Sequence, residues 1–427
     1  MPERFNRREV LQALGATGAM SLGKASATSA QASARNPLGE VEARIRAGQN
    51  LRWKGSPLGN QYPLLKKIKQ ESPKSLAYLK VRPTDLEAWK HDARGKIFEL
   101  MHYQPKPCDP QAQILEKADK GDYIREYLRF HTAPDIELPA YFLYPKHAKF
   151  PVPAVVALHD HGGFYYFGKE KILEVEGENP VLTEYRGEYY AGLSFPVTLA
   201  RNGYAVIIVD MFYFGERRLI LDSDLAEGIN DWQKKEGPDA IAKINTRNGQ
   251  LECWVDRNVQ HVGITWGGLL CWDDIRTVDY LVTRPEVDAK RIACTGLSVG
   301  GWRTNFLAGL DSRIKASCVA GWMTSFDPFL PWFVSYSIPA GNLPGMYQYL
   351  DYPDIGSMTM PSPMMVVHGT HDALFPPEGV EEAFRNLTQC YQAIGKPERF
   401  TTYTFPGPHS FPARAQQLML EWFTRWV

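Results

Sequence analysis

The sequence is poor in cysteine and carries no excess of either charge. Its 427 residues include six cysteines, none of which forms a C-x-x-C pair, and this argues against a zinc knuckle. Lysine plus arginine and aspartate plus glutamate both number 48, so the formal net charge is zero. Nucleic-acid-binding proteins normally carry a basic excess. We therefore expect no nucleic-acid partner, whereas the hydrophobic content of 44% is sufficient for a sizeable core.

Long hydrophobic runs are also missing. The mildly apolar segment Val10–Gly23 is too short and too rich in glycine to span a bilayer. It follows an arginine pair, Arg7–Arg8, and precedes the small-residue cleavage candidates Ala25–Ala27 and Ala32–Ala34. This pattern predicts a signal peptide of the twin-arginine type over residues 1–34, export to the periplasm or the medium, and no stable membrane anchor after cleavage. The alternative is a cytosolic arm with a chance arginine pair.

Two regions follow the predicted signal. Residues 35–120 predict a helical extension, in which Thr84 is the expected N-cap of a helix and Glu87 completes a capping box. Residues 121–427 predict one α/β domain. Three long polar and aromatic segments interrupt this domain and are expected to be lid-like insertions at the edge where such sheets bind ligands. They lie near residues 164–192, 211–262 and 324–360.

Short, almost wholly apolar runs alternate with helical patterns through this domain. The apolar runs are Ala154–Leu158, Ala205–Val209, Arg291–Thr295 and Met364–Val367, and the helical patterns are Ser194–Asn202, Trp266–Thr283, Trp302–Leu310, Pro377–Ile394 and Pro412–Val427. Continuous apolar runs of this length suit strands that are buried on both faces. Tyr123–Thr132 and Ile136–Tyr144 alternate like an antiparallel pair. The pattern therefore predicts a mostly parallel, doubly wound sheet with helices on both faces, preceded by two antiparallel strands.

One motif carries nucleophile chemistry. Gly296-Leu297-Ser298-Val299-Gly300 is G-x-S-x-G between a predicted strand and a predicted helix, which is the context of a nucleophile elbow. The sharp turn needs glycines on both sides of the serine, because the neighbouring backbones pass without room for a Cβ atom. Ser298 is therefore the candidate nucleophile. The alternative is a glycine-rich turn with a solvated serine.

A nucleophilic serine needs a base, and the base needs an acid that orients it. Behind a nucleophile elbow, the expected chain order is serine, acid, histidine. Asp372 lies in the loop after a predicted buried strand, and His409 lies between the predicted strand Arg399–Phe405 and the last helix. His368 is expected to be a buried structural histidine, and His371 comes too early in the chain order to be the base. Asp372 and His409 are therefore the predicted acid and base.

An oxyanion hole needs a second donor besides the helix N-terminus. Leu158-His159-Asp160-His161-Gly162-Gly163 ends a predicted strand, and the backbone N–H of His161 or Gly162 is the predicted donor, together with that of Val299. The rival interpretation is a metal site, because His-x-His is a common ligand pair. No further ligand cluster completes such a site, and the H-E-x-x-H motif is absent. No metal is therefore expected, and a serine–histidine–aspartate mechanism implies no cofactor.

Together these motifs resemble a known family. The HDHGG loop, the GLSVGG elbow, the HGTHD acid loop and the GPHSF histidine loop are similar to those of the α/β-hydrolase superfamily, especially its acetyl xylan esterase and dienelactone hydrolase-like bacterial members. The resemblance covers roughly residues 120–427 and implies the α/β-hydrolase fold. Dienelactone hydrolases use a cysteine nucleophile, whereas this chain has Ser298, which favours ordinary ester hydrolysis. Asp160 replaces the usual first glycine of the HGGG-type loop.

The motifs and the resemblance predict a secreted serine esterase that hydrolyses carboxylic esters through an acyl-enzyme. Its substrate is expected to be a small-molecule or carbohydrate ester, with acetyl and aromatic esters as candidates. Trp302 and Arg303, just after the elbow, are candidate substrate contacts, and for Arg303 a buried ion pair is the favoured alternative. Two other functions stay open: a peptidase or amidase of the prolyl oligopeptidase type, and a non-catalytic binding protein on a hydrolase scaffold. The oligomeric state is not predicted.

Overall fold

The structure is a computed structural model that describes residues 59–226, 236–330 and 339–427. The predicted signal peptide at 1–34 and the first part of the predicted extension lie outside these residues. No helix within the described ranges is both long enough and apolar enough to cross a membrane.

One sheet organises the described residues. Its strands are β1 (Gln113–Asp119), β2 (Tyr123–Ala133), β3 (Ile136–Pro145), β4 (Val152–Leu158), β5 (Ala205–Val209), β6 (Val287–Leu297), β7 (Ile314–Ala320), β8 (Met364–Gly369) and β9 (Phe400–Phe405). Their spatial order is β1-β2-β3-β5-β4-β6-β7-β8-β9. Strands β4 to β9 run parallel to one another, whereas β1, β2 and β3 pair antiparallel and β3 is antiparallel to β5. The predicted mostly parallel sheet is confirmed.

Among the described residues, helices lie between many of the strands, before the first strand and after the last. They are α1 (Tyr62–Gln70), α2 (Tyr78–Val81), α3 (Leu86–Met101), α4 (Pro180–Tyr190), α5 (Phe195–Arg201), α6 (Asp222–Ala226), α7 (Pro238–His261), α8 (Trp266–Leu281), α9 (Val299–Leu310), α10 (Phe326–Phe329), α11 (Tyr352–Ser357), α12 (Pro377–Ala393) and α13 (Ala413–Trp426).

Successive residues of the central strands face opposite sides of the sheet. In β4, Val155 and Ala157 pack in one hydrophobic cluster with residues of α5 and α13. Ala154 and Val156 pack in another cluster with residues of α8 and α9. Helices therefore cover both faces, as predicted, and this double burial explains why the strand sequences are apolar at every position instead of alternating.

The edge strand β1 was not predicted. Six of its seven residues are exposed, so its sequence lacks the alternation of apolar and polar residues that marks a half-buried strand. It is held by its ladder with β2, which runs from Gln113 opposite Arg129 to Asp119 opposite Ile124. Tertiary pairing, rather than local pattern, decides this element.

Helix α3 is capped one residue later than predicted. Asp85, not Thr84, is its N-cap, because the Asp85 carboxylate accepts the Ala88 N–H at 3.0 Å. Glu87 is then the second helical residue and does not occupy the capping-box position. Both Thr and Asp are good N-caps, so composition alone does not separate them. Trp89 packs this helix into the cluster that also contains residues of α8 and α9.

The long segments that follow β4, β5 and β7 are partly helical. The first contains α4, the second contains the 24-residue helix α7, and the third contains α10 and α11. Residues 227–235 and 331–338 of the second and third segments lie outside the described residues. Because β4, β5 and β7 run parallel, all three segments leave the sheet at its C-terminal edge, where α/β folds bind ligands.

Candidate active site

Ser298 occupies the sharp turn between β6 and α9. Its backbone has φ 60° and ψ −122°, a conformation that residues with a Cβ atom rarely adopt. A Cβ at Gly296 would lie 2.3 Å from the carbonyl oxygen of Leu158, and a Cβ at Gly300 would lie 2.1 Å from the same atom. The two glycines of the motif therefore let the elbow pack directly against the end of β4.

The neighbouring strand β7 holds the elbow from the other side. The Ser298 N–H donates to the carbonyl oxygen of Ala320 at 2.9 Å, and a Cβ at Gly301 would lie 2.5 Å from that oxygen. Val299 is the first residue of α9, so its N–H has no acceptor within the helix. The predicted donor Val299 is thus at a helix N-terminus, next to Ser298, where the helix dipole favours negative charge.

Asp372 and His409 are in direct contact. His409 Nδ1 lies 2.6 Å from Asp372 Oδ2, and the Leu374 N–H donates to Asp372 Oδ1 at 2.9 Å. The loops after β8 and β9, which carry the two side chains, are joined by the His371 N–H, which donates to the Gly407 carbonyl oxygen at 3.0 Å. The acid and the imidazole are therefore held by backbone bonds as well as by their own contact.

This contact shifts the two pKa values in opposite directions. Burial alone would lower the pKa of His409, but the attraction and the hydrogen bond of Asp372 outweigh it, so the pKa is raised. Burial alone would raise the pKa of Asp372, but the charge and the hydrogen bond of His409 hold this pKa below its usual value. An ionised carboxylate against Nδ1–H leaves Nε2 as the basic atom of the neutral imidazole.

Ser298 and His409 both contact the C-terminal end of β7. The His409 ring packs against Gly321, where a Cβ would come within 3.0 Å of the ring Cε1 atom. Gly321 directly follows Ala320, which accepts the Ser298 N–H. Among the described residues no hydrogen bond joins the Ser298 hydroxyl to His409, and such bonds often tighten only when substrate is bound. The structure thus brings Asp372 and His409 together, with Ser298 on the adjoining strand end.

The predicted oxyanion loop follows β4 and is anchored by α4. Gly162 and Gly163 have φ angles of +55° and +64°, and a Cβ at Gly162 would lie 1.7 Å from the Tyr185 hydroxyl. The Asp160 carboxylate accepts hydrogen bonds from the hydroxyls of Tyr190, at 2.5 Å, and of Tyr185. The aspartate that departs from the family pattern is therefore a buried acceptor that ties the loop to its neighbours.

The two histidines of this loop have separate partners. His159 Nδ1 lies 2.9 Å from the Asp160 carbonyl oxygen, and its Nε2 accepts the Met211 N–H at 3.2 Å. His161 Nε2 lies 2.8 Å from Glu252 Oε1 on α7. Within the described ranges, no three His, Cys, Asp or Glu side chains are grouped so as to hold a metal ion. Each histidine is committed to its own hydrogen bonds.

Trp302 and Arg303 lie in the core. Both side chains are fully buried, and Arg303 forms a two-pronged ion pair with Asp274 of α8, with N–O distances of 3.0 and 2.5 Å. Trp302 stacks on Phe306 with 4.1 Å between ring centroids. A substrate contact would require these side chains to leave the core. The prediction of substrate contacts is therefore corrected: Arg303 forms the buried ion pair that was its alternative, and Trp302 is a packing residue.

The sequence analysis missed the side chains that hold the oxyanion loop. Lys171, Tyr185 and Tyr190 all contact Asp160, but they stand in a long segment that carries no motif. The available signal was Asp160 itself, because an aspartate buried after a strand requires hydrogen-bond donors. This signal predicts that donors exist without saying where in the chain they are.

Matches to sequence families cover two parts of the chain. The profile of the prolyl oligopeptidase family matches residues 259–427, and that of an abhydrolase family matches residues 57–234. A provisionally named hydrolase of Bacillus subtilis (strain 168), YtaP, is 25% identical over 345 residues, which cover 79% of this chain and 99% of YtaP.

Several solved structures are similar to the described fold. A protein of Bacteroides fragilis NCTC 9343, provisionally named an acetyl xylan esterase, has a TM-score of 0.63 at 17% identity, covering 84% of this chain and 85% of its own. Glucuronoyl esterase from Solibacter usitatus has a TM-score of 0.56 at 13% identity, covering 82% of this chain and 97% of its own. The methylesterase BT1017 has a TM-score of 0.55 at 16% identity, covering 91% and 85%. The chain therefore has the α/β-hydrolase fold that its motifs predicted.

Proposed function

We propose that the protein is a serine hydrolase that cleaves carboxylic esters through an acyl-enzyme. The observation that carries the proposal is the conformation of Ser298, at φ 60° and ψ −122° on a nucleophile elbow, at the same sheet edge as the bonded pair of Asp372 and His409. A serine on a strained elbow, at the same sheet edge as an imidazole oriented by a carboxylate, supports nucleophilic catalysis.

Each catalytic group acts once in the formation of the acyl-enzyme and once in its hydrolysis. His409 Nε2 accepts the proton of the Ser298 hydroxyl as the oxygen attacks the ester carbonyl carbon. The resulting oxyanion is bound by the N–H of Val299 and by that of His161 or Gly162. The imidazolium then gives its proton to the leaving alcohol. Water repeats the sequence on the acyl-enzyme and releases the acid, while Asp372 stabilises the imidazolium throughout.

We further propose a small-molecule or carbohydrate ester as the substrate. Three similar structures are named as esterases, and two of these names, acetyl xylan esterase and glucuronoyl esterase, refer to carbohydrate esters. The fold is shared at low identity, so the names guide the choice of substrates to assay. The catalytic step requires no cofactor.

Ser298→Ala tests the proposal. Hydrolysis of p-nitrophenyl acetate should fall by several orders of magnitude, because only about 10³–10⁴ of catalysis over water survives the loss of a triad member. Ser312→Ala, which removes an exposed serine at the other end of α9, is the matched control and should retain wild-type activity. A fluorophosphonate should label the wild type at Ser298 and leave the Ser298→Ala variant unlabelled. Full activity of Ser298→Ala would overturn the assignment.

The second candidate is a peptidase or amidase. It is favoured by the match of residues 259–427 to the prolyl oligopeptidase family. Ester and amide substrates that share one acyl group separate the two functions. Amide cleavage that is lost in Ser298→Ala would favour the peptidase, whereas an unlabelled wild-type Ser298 would favour a non-catalytic binding protein on the same scaffold.

We also propose that residues 1–34 direct export. The pattern Arg7–Arg8 followed by a short apolar segment motivates this assignment. Replacement of both arginines by lysine should retain the protein in the cytoplasm, as measured by cell fractionation. Equal export of the variant and the wild type would contradict a twin-arginine route.

A further inference from the structure

Lys171 is a fully buried lysine directed at the oxyanion loop. Its side chain has no solvent exposure. Its Nζ donates to the carbonyl oxygen of Asp160, and also to the carbonyl oxygen of His161 at 3.1 Å. The Asp160 carboxylate lies 3.7 Å from the same ammonium group. Lys171 therefore binds two consecutive backbone carbonyl groups of the loop whose N–H groups are the predicted oxyanion donors.

Peptide geometry gives this contact a consequence for the donors. In a trans peptide the C=O of one residue and the N–H of the next point in opposite directions within one plane. The bonds after Asp160 and His161 are not among the cis peptides of the described residues. With the Asp160 carbonyl bound to Lys171, the His161 N–H is turned away from Lys171. The His161 carbonyl orients the Gly162 N–H in the same way.

We propose that Lys171 is a positioning residue of the oxyanion site, which orients the N–H groups of His161 and Gly162 by binding the carbonyl groups of Asp160 and His161. The His159 ring and the Phe164 N–H contact the same two oxygens, at 2.9 and 3.1 Å, but among the described residues Lys171 alone contacts both. The inference rests on the proposed function, because it assigns the device that aligns the donors of that reaction. Donors that are already aligned with the position of the oxyanion do not have to reorganise as charge develops.

The surroundings of Lys171 match this role. The nearby Asp160 carboxylate compensates its buried charge, and the Tyr185 and Tyr190 hydroxyls hold that carboxylate. The Phe214 ring lies 4.7 Å from Lys171 Nζ. Burial lowers the pKa of Lys171 to about 8, against the attraction of Asp160. The ammonium is thus surrounded by the Asp160 carboxylate, the rings of Phe214 and Tyr185 and the loop carbonyls.

The neighbouring buried lysine is placed differently. Lys169 Nζ bonds to the carboxylates of Asp210, Glu216 and Glu170, at 2.9, 2.5 and 2.9 Å, and these are ordinary buried ion pairs. Lys171, by contrast, makes its shortest contacts with backbone carbonyl oxygens. This difference within one short segment separates a charge-pairing lysine from one that sets backbone orientation.

Lys171→Met tests the proposal, with Lys90→Met as the matched control. Lys90 is also a buried lysine, and its Nζ bonds to the Met360 carbonyl oxygen at 2.9 Å, in a region outside the site. Rates are measured on p-nitrophenyl acetate and divided by the number of active sites titrated with a fluorophosphonate. Affinity for a trifluoromethyl ketone, which forms an oxyanion on the serine, is measured for each protein.

Removal of one oxyanion donor costs about 10²–10³ in kcat, and misalignment should cost less. We expect Lys171→Met to lower kcat per titrated site by about 10- to 100-fold, with KM changed by less than about threefold. Affinity for the trifluoromethyl ketone should fall by a similar factor. Lys171→Arg, which retains a cationic donor, should recover part of the loss, and Lys90→Met should keep wild-type values per site.

Three results would overturn the proposal. The first is a wild-type kcat per site in Lys171→Met, and the second is a loss of kcat without a loss of affinity for the trifluoromethyl ketone. Either would leave the esterase assignment intact. The third is a wild type that neither hydrolyses esters nor reacts with the fluorophosphonate, which would reject the proposed function and this inference with it. If Lys171→Met does not fold, the same measurements are made on Lys171→Gln, whose side chain is too short to reach both carbonyl groups. The same three results would then overturn the proposal.

Discussion

Gly321 offers a test of the site that alters no reacting group. In Gly321→Ala the new methyl group would lie 2.8 Å from Cδ1 of Leu297, and 3.0 Å from Cε1 and 3.3 Å from Nδ1 of His409. Favourable contacts between carbon atoms begin at about 3.5 Å, so the imidazole has to move by a few tenths of an ångström. That movement strains the 2.6 Å contact with Asp372 and displaces the base from Ser298.

Two effects of this variant can be given magnitudes. Alanine at φ +59° lies in the left-handed region, which costs an L-residue about 1–2 kcal/mol of stability. A displacement of 1 Å at an active site costs about 10²-fold in rate. A shift of a few tenths of an ångström is therefore expected to lower kcat by about three- to thirtyfold, with KM little changed.

Gly395→Ala separates the two effects. Gly395 has φ +68°, and a Cβ there would meet nothing within 4 Å, so the variant carries the backbone strain without the contacts to Leu297 and His409. Thermal unfolding and kcat per titrated site are measured for both variants on p-nitrophenyl acetate. Both should lose stability, Gly321→Ala the more because of its contacts with Leu297 and His409, and only Gly321→Ala should lose kcat. Equal kcat values in the two variants would refute the placement of the imidazole against this glycine.

Three other perturbations have expected outcomes. Asp372→Asn removes the attraction that raises the pKa of His409. Because the base acts when neutral, the fall of kcat/KM at acid pH should move to lower pH, and kcat should fall by about 10⁴. An unchanged pH dependence of kcat/KM would contradict the pairing of Asp372 with His409. Arg303→Met should destabilise the protein to urea by about 3–5 kcal/mol, because it leaves Asp274 buried without its partner, whereas Arg303→Met combined with Asp274→Leu should recover much of this loss. Wild-type stability of the single variant would contradict a buried ion pair. Gly162→Ala should lower kcat per titrated site, because its Cβ would overlap a tyrosine hydroxyl, and an unchanged kcat would show that the loop has room.

Prediction from the sequence was least accurate at the start of helix α3 and at the edge strand β1. The buried strands were predictable, because a strand covered on both faces is apolar at every position. β1 was not, since six of its seven residues are exposed and its ladder with β2 supplies the stabilisation. The choice of Asp85 over Thr84 as the cap of α3 also lay beyond composition, because both residues cap helices well.

The residues of the proposed triad were the part of the site that the sequence could suggest. Ser298, Asp372 and His409 each stand just after a strand of a parallel sheet, and strand ends in such a sheet meet at one edge. The residues that hold the oxyanion loop could not be identified from the sequence. Lys171 and Glu252, which contact the oxyanion loop, belong to segments with no spacing rule that relates them to that loop.

Local pattern was therefore sufficient for the fold class, for the buried strands and for the proposal of three catalytic side chains, because periodicity and turn chemistry are properties of neighbours in the chain. Three-dimensional packing alone decided that Arg303 pairs with Asp274 inside the core and that Asp160 is buried among two tyrosines and a lysine. The physical reason is that a buried charge needs a partner, while the identity of that partner depends on which distant segments the folded chain brings into contact.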